Sequence, residues 1–159
     1  MDTEANINLL LFIEPMGKQR PRLSSKGRFS RAYTPKKTAD WTKTARRAIK
    51  RLYSRKPIER SIPIEVKITA VHKRPQRLQR KCDPIGRIWK TTKPDIDNIA
   101  KIVYDSGNGL IWADDCQIVR SICEDVYAAK NEAPSISICI RRLDEYTDFT
   151  DEQSVFPRG

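Results

Sequence analysis

The sequence is poor in the residues that build the commonest metal and disulfide sites. It has one histidine, His72, and four cysteines, and no two of the cysteines form a C-x-x-C pair. A structural zinc site needs four nitrogen or sulfur ligands, usually in closely spaced pairs, so none is expected. A cysteine–histidine nucleophilic pair has equally little support. Cys123 and Cys139 lie in predicted strands and are expected to be small core or surface-strand residues of a protein in a reducing compartment.

Long apolar runs are also missing. The apolar stretch at residues 7–13 is too short to cross a bilayer, and Asp2 and Glu4 stand where a signal peptide would carry basic residues. We therefore expect a cytoplasmic protein, associated with the nucleoid if it binds DNA, with no membrane partner and no small-molecule cofactor. The length predicts a single domain at residues 1–142, followed by a flexible acidic tail at 143–159.

Acidic residues are scarce between positions 18 and 93, where 25 lysines and arginines face 4 aspartates and glutamates. With a net charge of +11 for the whole chain, this imbalance favours a polyanionic partner. Nucleic acid fits better than an anionic membrane because no long amphipathic apolar face accompanies the charge. An inert basic surface is the alternative. The candidate nucleic-acid ligands are basic residues in loops, which can approach phosphates closely: Lys18, Arg20, Arg22, Arg28 and Lys93.

The hydrophobic pattern predicts four strands and two helices. Residues 63–71 alternate apolar and polar side chains, as in a half-buried strand, and residues 7–14 are apolar almost throughout, as in a central strand. Residues 117–128 and 135–142 are predicted to form a β-hairpin. The first helix, residues 36–53, has an apolar stripe of Trp41, Ala45, Ala48 and Leu52.

The second helix is predicted from about position 97 to the glycines at 107 and 109, with Ile96 and Ile99 facing the core. The order is β-α-β-α-β-β. It predicts an α+β domain, a mixed sheet with two helices packed on one face, and long basic loops. The longest loop, at 73–93, is expected to be mobile and to lead the chain to the second helix.

Five carboxylates fall within residues 95–115 of this otherwise basic chain: Asp95, Asp97, Asp105, Asp114 and Asp115. Pro94 favours an extended approach, in which Asp95 and Asp97 face the same way. Gathered carboxylates repel one another unless they are protonated or share a cation, and their oxygens suit Mg2+ or Mn2+. Aspartates are also ordinary helix caps and turn residues, so the D-x-D spacing alone leaves both interpretations open.

The joined pattern P-D-x-D-N-x-x-K at 94–101, an aspartate at 105 and D-D-x-Q-I at 114–118 is far more specific. With these motifs, and with residues 17–22 and 33–38, the chain resembles the RusA family of Holliday junction resolvases over residues 7–142. These are small endonucleases often encoded by phages and prophages. The resemblance implies that Asp95, Asp97 and Asp115 are metal-binding catalytic carboxylates and that Lys101 is an essential lysine. Asp105 and Asp114 match acidic positions with supporting roles.

The resemblance also implies a Mg2+-dependent homodimer, with Mn2+ as a substitute ion, that binds four-way DNA junctions by shape. Two opposed active sites would nick strands of like polarity. The long loop at 73–93, the pair Ser106-Gly107 and the acidic tail depart from the best-known members. Two other functions stay open: a DNA-binding protein that does not cleave, and a metal-dependent nuclease acting on forks, flaps or RNA. The presence of all three expected ligands together with Lys101 favours catalysis.

Overall fold

The computed structural model describes residues 6–24 and 31–143, in which nine strands and helices are found. The strands are β1 (Ile7–Leu11), β2 (Arg22–Ser24), β3 (Arg31–Tyr33), β4 (Ile64–His72), β5 (Ile88–Trp89), β6 (Ile118–Tyr127) and β7 (Ser135–Arg142). The helices are α1 (Lys36–Leu52) and α2 (Ile96–Gly107). Neither helix is long and apolar enough to cross a membrane.

Five strands form a mixed sheet in the order β1-β7-β4-β6-β5, and β2 and β3 form a separate antiparallel pair. Strand β4 is central, parallel to β6 and antiparallel to β7. Both helices pack on one face of the sheet, where Ile49 of α1 and Ile102 of α2 share a core with Ile68 and Ile138. The predicted α+β fold with a mixed sheet and two helices is therefore confirmed.

The alternation of apolar and polar side chains predicted for residues 63–71 is confirmed in β4. Ile64, Val66, Ile68 and Ala70 are all buried beneath the helices, and the residues between Ile64 and Ala70 are less buried or exposed. This regularity follows from the two-residue period of a strand, which sends successive side chains to opposite faces of the sheet.

The predicted β-hairpin is wrong, because β6 and β7 do not pair. Strand β4 lies between them and is bonded to both. The chain turns at Lys130 and Asn131, where Asn131 has a positive φ of 68°, and then passes the end of β4. Strand β6 instead completes a β4–α2–β6 crossover, the usual connection between neighbouring parallel strands.

The prediction of a central first strand is also wrong. Strand β1 forms the edge of the sheet beside β7, and Leu10 and Phe12 are 46% and 73% exposed. Leu9 and Leu11 supply its buried side. The apolar run therefore covers the core on one face only, and its other face lies in solvent.

Helix α1 lies close to its predicted bounds, but its buried side is rotated. Thr38, Ala45 and Ile49 are buried, whereas Leu52 is 53% exposed. Arg46 on this helix donates from Nη1 to the carbonyl oxygens of Ser106 and Asn108 at 3.1 and 2.8 Å. These groups belong to the C-terminal end of α2, where carbonyls lack helical partners and a positive charge is favourable. Arg46 thereby fixes α1 against α2.

The segment between β4 and α2 is held to the sheet, contrary to the prediction of a mobile loop. The buried guanidinium of Arg74 donates to the carbonyl oxygens of Ala128, Pro84 and Gly86, the first two at 2.8 and 2.6 Å. Strand β5 then pairs with the end of β6. These contacts give the basic segment a defined path toward Asp95.

Candidate active site

The exposed N-terminal turn of α2 carries Asp95 and Asp97. Asp95 is the N-cap residue, yet its side chain makes no capping hydrogen bond, and Asp97 lies in the first turn. The helix therefore begins earlier than predicted, and the two carboxylates converge at a helix start rather than along an extended strand. Ile96 between them is 41% exposed and does not reach the core, contrary to the prediction, whereas Ile99 is buried.

One cleft of about 400 Å³ is lined by both aspartates together with Asn98, Lys101 and residues 18–21. Lys101 lies one turn beyond Asp97 on the same helix face, and its Nζ donates to Oδ2 of Asp97 at 3.0 Å. This hydrogen bond is the largest cause that lowers the pKa of the Asp97 carboxyl below its ordinary 3.8. Asp97 is therefore ionised at neutral pH.

The segment at residues 17–21 forms the opposite wall of this cleft because Gly17 has no side chain. A Cβ atom on Gly17 would lie 2.5 Å from Cβ of Pro94 and 3.4 Å from Cβ of Asn98. The close approach lets the backbone N–H of Lys18 donate to the carbonyl oxygen of Asn98 at 2.9 Å. Lys18 and Arg20 are thereby brought next to the carboxylates of Asp95 and Asp97.

A second cleft, of about 660 Å³, adjoins the first through Lys18. Its walls include the α1 residues Lys43, Arg47 and Lys50. The ammonium of Lys18 forms an ion pair with Asp105 at 2.6 Å between the two clefts. A nearly continuous basic surface thus extends from α1 to the start of α2.

The five predicted nucleic-acid ligands fall in different places. Lys18 and Arg20 line the cleft with the carboxylates, Arg22 is exposed at the start of β2, and Lys93 is exposed next to Pro94. Arg28 lies outside the described residues. The structure therefore brings two of the five beside Asp95 and Asp97.

The two consecutive aspartates have different surroundings. Asp114 caps the short 3-10 turn Asp115–Gln117 by accepting from the backbone N–H of Cys116 at 3.1 Å, and this bond is the main cause that lowers the pKa of Asp114. Gln117 is buried and donates to the carbonyl oxygens of Glu59 and Ile62 at 3.0 and 2.9 Å. The D-D-x-Q motif therefore fixes a turn that leaves Asp115 exposed.

A known protein family matches most of the chain. The sequence model of the family described as Endodeoxyribonuclease RusA matches residues 13–141. The chain belongs to the RusA endodeoxyribonuclease family. It is also 40% identical over 58 residues to the uncharacterized protein YqaN of Bacillus subtilis (strain 168). That match covers 36% of this chain and 39% of YqaN, so the alignment spans well under half of that relative.

The metal ligands expected for a RusA protein are only partly assembled here. Asp95 and Asp97 line one cleft, but Asp115 is not among its lining residues. Among residues 6–24 and 31–143, no three histidine, cysteine or carboxylate side chains are close enough to hold a metal ion. Mg2+ often uses only one or two protein carboxylates and completes its shell with phosphate oxygens and water. The pair Asp95 and Asp97 fits that donor set, and the role of Asp115 stays a prediction.

Two features of this RusA-family site were missed from sequence. Gly17 is needed for a close approach between segments far apart in the chain, and nothing in its local sequence reports that contact. Lys90, in the basic segment before Asp95, donates to the backbone carbonyls of Thr92 and Pro94. The sequence places Gly17 in the segment 17–22 that resembles the RusA family and Lys90 in the loop at 73–93, but it predicts neither contact.

Proposed function

We propose that this protein is a Mg2+-dependent endonuclease that resolves four-way DNA junctions, acting as a homodimer that makes paired symmetric nicks. The observation that carries the proposal is the shared cleft of Asp95, Asp97 and Lys101, faced by Lys18 and Arg20, in a member of an endodeoxyribonuclease family. Carboxylates and basic groups in one exposed cleft suit a metal-assisted reaction on a phosphodiester.

Asp95 and Asp97 would hold the ion through their carboxylate oxygens, and Asp115 is the predicted third ligand. When bound, Mg2+ would polarise the scissile phosphate and lower the pKa of a bound water. Both carboxylates lie on the exposed first turn of α2, so a DNA backbone can reach them without any opening of the fold.

Lys101 would supply positive charge where negative charge develops during cleavage. Its ammonium is one hydrogen bond from Asp97, and its side chain is 58% exposed, so it can also reach a phosphate in the cleft. Stabilisation of developing charge by a preorganised donor is commonly the largest catalytic contribution. An exposed ion pair with Asp97 would by itself contribute little to stability.

Lys18, Arg20 and the basic face of α1 would bind the phosphates that flank the scissile bond. Each neutralised phosphate releases counterions, so affinity for DNA should fall steeply with salt concentration. A junction has two equivalent strands to cut, and a two-fold symmetric dimer would present one site to each. This symmetry is the physical reason for proposing paired nicks.

A cleavage assay with defined DNA substrates tests the proposal. A labelled mobile four-way junction, a linear duplex, a fork, a flap and a single-stranded RNA are incubated with the protein, with and without Mg2+. The expected result is paired symmetric nicks in the junction only, dependent on Mg2+. Asp97→Asn should abolish the nicks and still bind the junction, because the amide keeps the shape of the side chain but is a much weaker metal ligand.

The other outcomes identify the alternatives. Binding without cleavage in either Mg2+ or Mn2+ would favour a non-cleaving DNA-binding protein. Preferential cutting of forks, flaps or RNA would favour a nuclease with a different substrate. Asp40→Asn is a matched control, because Asp40 is an exposed aspartate on α1 that lines neither cleft.

A further inference from the structure

A buried charged cluster lies between the sheet and the segment that leads into α2. Lys90 and Asp125 form an ion pair at 2.9 Å, with side chains only 3% and 8% exposed. His72, whose side chain is 7% exposed, places Nε2 at 2.7 Å from the second oxygen of Asp125, without the alignment of a hydrogen bond. The cluster occupies the ends of the neighbouring parallel strands β4 and β6.

Lys90 donates hydrogen bonds to the turn that precedes the candidate metal ligands. Its Nζ donates to the carbonyl oxygen of Thr92 at 2.5 Å and to that of Pro94 at 3.1 Å, in addition to Asp125. The backbone N–H of Lys90 also donates to the carbonyl oxygen of Asp125 at 3.1 Å. Both carbonyls that Lys90 binds lie within three residues of Asp95.

The same turn is held from its other side. The hydroxyl of Thr92 lies 2.8 Å from that of Tyr127 on β6. The helix that follows is fixed by the bond from Lys18 to Asn98 and by the contact of Gly17 with Pro94. Residues 92–98 are thus tied to the sheet on one side and to the 17–21 segment on the other.

A buried ion pair is an expensive way to stabilise a fold, because desolvation of both charges offsets most of their attraction. An apolar pair of similar volume would serve stability as well. What the ammonium of Lys90 adds is two directed hydrogen bonds, to the carbonyl oxygens of Thr92 and Pro94, that fix the backbone path into Asp95. Groups that orient ligands in this way commonly influence activity about 10–100-fold.

We propose that Lys90 is a positioning residue: anchored by its ion pair with Asp125, it holds the turn at 92–94 so that the carboxylates of Asp95 and Asp97 share one cleft. The proposal rests on the proposed function for its catalytic consequence. Its structural content, that Lys90 orders residues 91–98, stands independently of any cleavage.

The test uses three variants of the full-length protein. Lys90→Met removes the donors but leaves Asp125 as an unpaired buried charge, so it can fail to fold. Lys90→Met combined with Asp125→Asn removes both charges and keeps the side-chain volumes, which avoids that penalty. Arg87→Met is the matched control, because Arg87 binds the same basic segment to Glu132 through an ion pair at 2.5 Å that involves none of residues 91–98.

Two measurements are made on each variant. Hydrogen exchange followed by mass spectrometry reports the order of residues 91–98, and single-turnover cleavage at saturating junction separates the chemical step from DNA binding. The double variant should exchange amides at 91–98 on the order of tenfold faster, with unchanged exchange in β4 and β7. Its cleavage rate should fall about 10–100-fold, while its Kd for the junction in Ca2+ changes less than about twofold.

Wild-type protection of residues 91–98 in the double variant would overturn the proposal. So would a loss of protection spread evenly over β4, β6 and β7, since the cluster would then support the fold as a whole. Arg87→Met should match wild type in both measurements. If it lost as much protection and cleavage as the double variant, the loss of any contact of this segment would have the same effect, and Lys90 would have no specific role. If wild-type protein cleaves no substrate, the proposed function fails, and the exchange measurement still decides the role of Lys90.

Discussion

Substitution of Gly17 by alanine should separate the two walls of the candidate active-site cleft. The added Cβ would stand 2.5 Å from Cβ of Pro94 and 3.4 Å from Cβ of Asn98. An ordinary contact between carbon atoms is about 3.5–4.0 Å. The 17–21 segment and the start of α2 therefore have to move apart by about 1 Å at this point.

The segment at 17–21, rather than helix α2, should move to relieve this contact. Helix α2 is fixed by the buried residues Ile99, Ile102 and Val103, which are each 1% exposed or less. The segment is held mainly by the bonds from Lys18 to Asn98 at 2.9 Å and from Gln19 to Thr38 at 3.4 Å. Overpacking in a core costs about 1–3 kcal/mol. Since the segment can relax outward, we expect a stability loss at the low end of this range, about 1 kcal/mol.

The effect on cleavage should be larger than the effect on stability. A displacement of about 1 Å in a group that positions substrate can lower a rate on the order of 100-fold. The displaced groups include Lys18 and Arg20, which face the carboxylates across the cleft. Urea unfolding gives the free energy of unfolding, and single-turnover cleavage of a four-way junction gives the rate.

Gly86→Ala is the matched control, because no atom beyond its two neighbours in the chain lies within 4 Å of the position its Cβ would take. It should leave both stability and cleavage unchanged. If Gly17→Ala cleaved within about threefold of the wild-type rate, at unchanged stability, the expected displacement of the 17–21 segment would be excluded as a cause of slower cleavage. This result would mean that the close approach of the two walls has no part in the reaction.

Three further outcomes are expected. Arg46→Met should lower the free energy of unfolding by about 1.5–3 kcal/mol in urea titrations, because Arg46 donates to the carbonyl oxygens at the C-terminal end of α2. The control Arg47→Met, at an exposed residue, should change it by less than about 0.5 kcal/mol, and equal losses in the two variants would contradict this prediction. Lys101→Met should raise the pKa of Asp97 toward 3.8, because the hydrogen bond from Lys101 is the main cause that lowers this pKa. NMR titration of the Asp97 carboxyl carbon without metal measures the pKa, and an unchanged value in the variant would count against that cause. Burial lowers the pKa of His72 below 6.5, so the unfolded chain binds a proton at this residue more readily than the folded chain does. The contribution of neutral His72 to the free energy of unfolding is therefore present above about pH 6.5 and lost as the pH falls below it. In urea titrations from pH 7.5 to 5, the free energy of unfolding of His72→Gln should depend less on pH than that of the wild type, and parallel pH profiles would exclude the effect.

Local patterns predicted the parts of the fold that depend on local geometry. The alternation through Ile64, Val66 and Ile68 identified a buried strand face because the period of two belongs to the strand itself. Strand pairing is not local. The turn at Lys130 and Asn131 looks like a hairpin connection, but the β4–α2–β6 crossover places β6 and β7 on opposite sides of β4.

The same limit explains the error at β1. A run of apolar residues predicts burial on both faces, yet Leu10 and Phe12 lie on the open side of an edge strand. Periodicity reports how apolar a segment is and does not report how many elements are available to cover it. The buried stripe of α1 was displaced for a similar reason, since the position of α2 brings Ile49 rather than Leu52 inward.

At the candidate site, sequence predicted the residues that share a helix. Asp97 and Lys101 are four positions apart, and that spacing alone places them side by side. Contacts between distant segments were not predictable. Gly17 against Pro94, and Lys90 beneath the turn before Asp95, exist only because the sheet brings those segments together.

The proposed function requires that Asp95 and Asp97 bind a divalent ion at the start of α2. Anomalous scattering from crystals soaked in Mn2+ would locate such an ion. We expect one strong peak about 2.0–2.3 Å from a carboxylate oxygen of each aspartate, absent in Asp97→Asn. A map with no peak between these side chains, or with its strongest peak at another site, would contradict it.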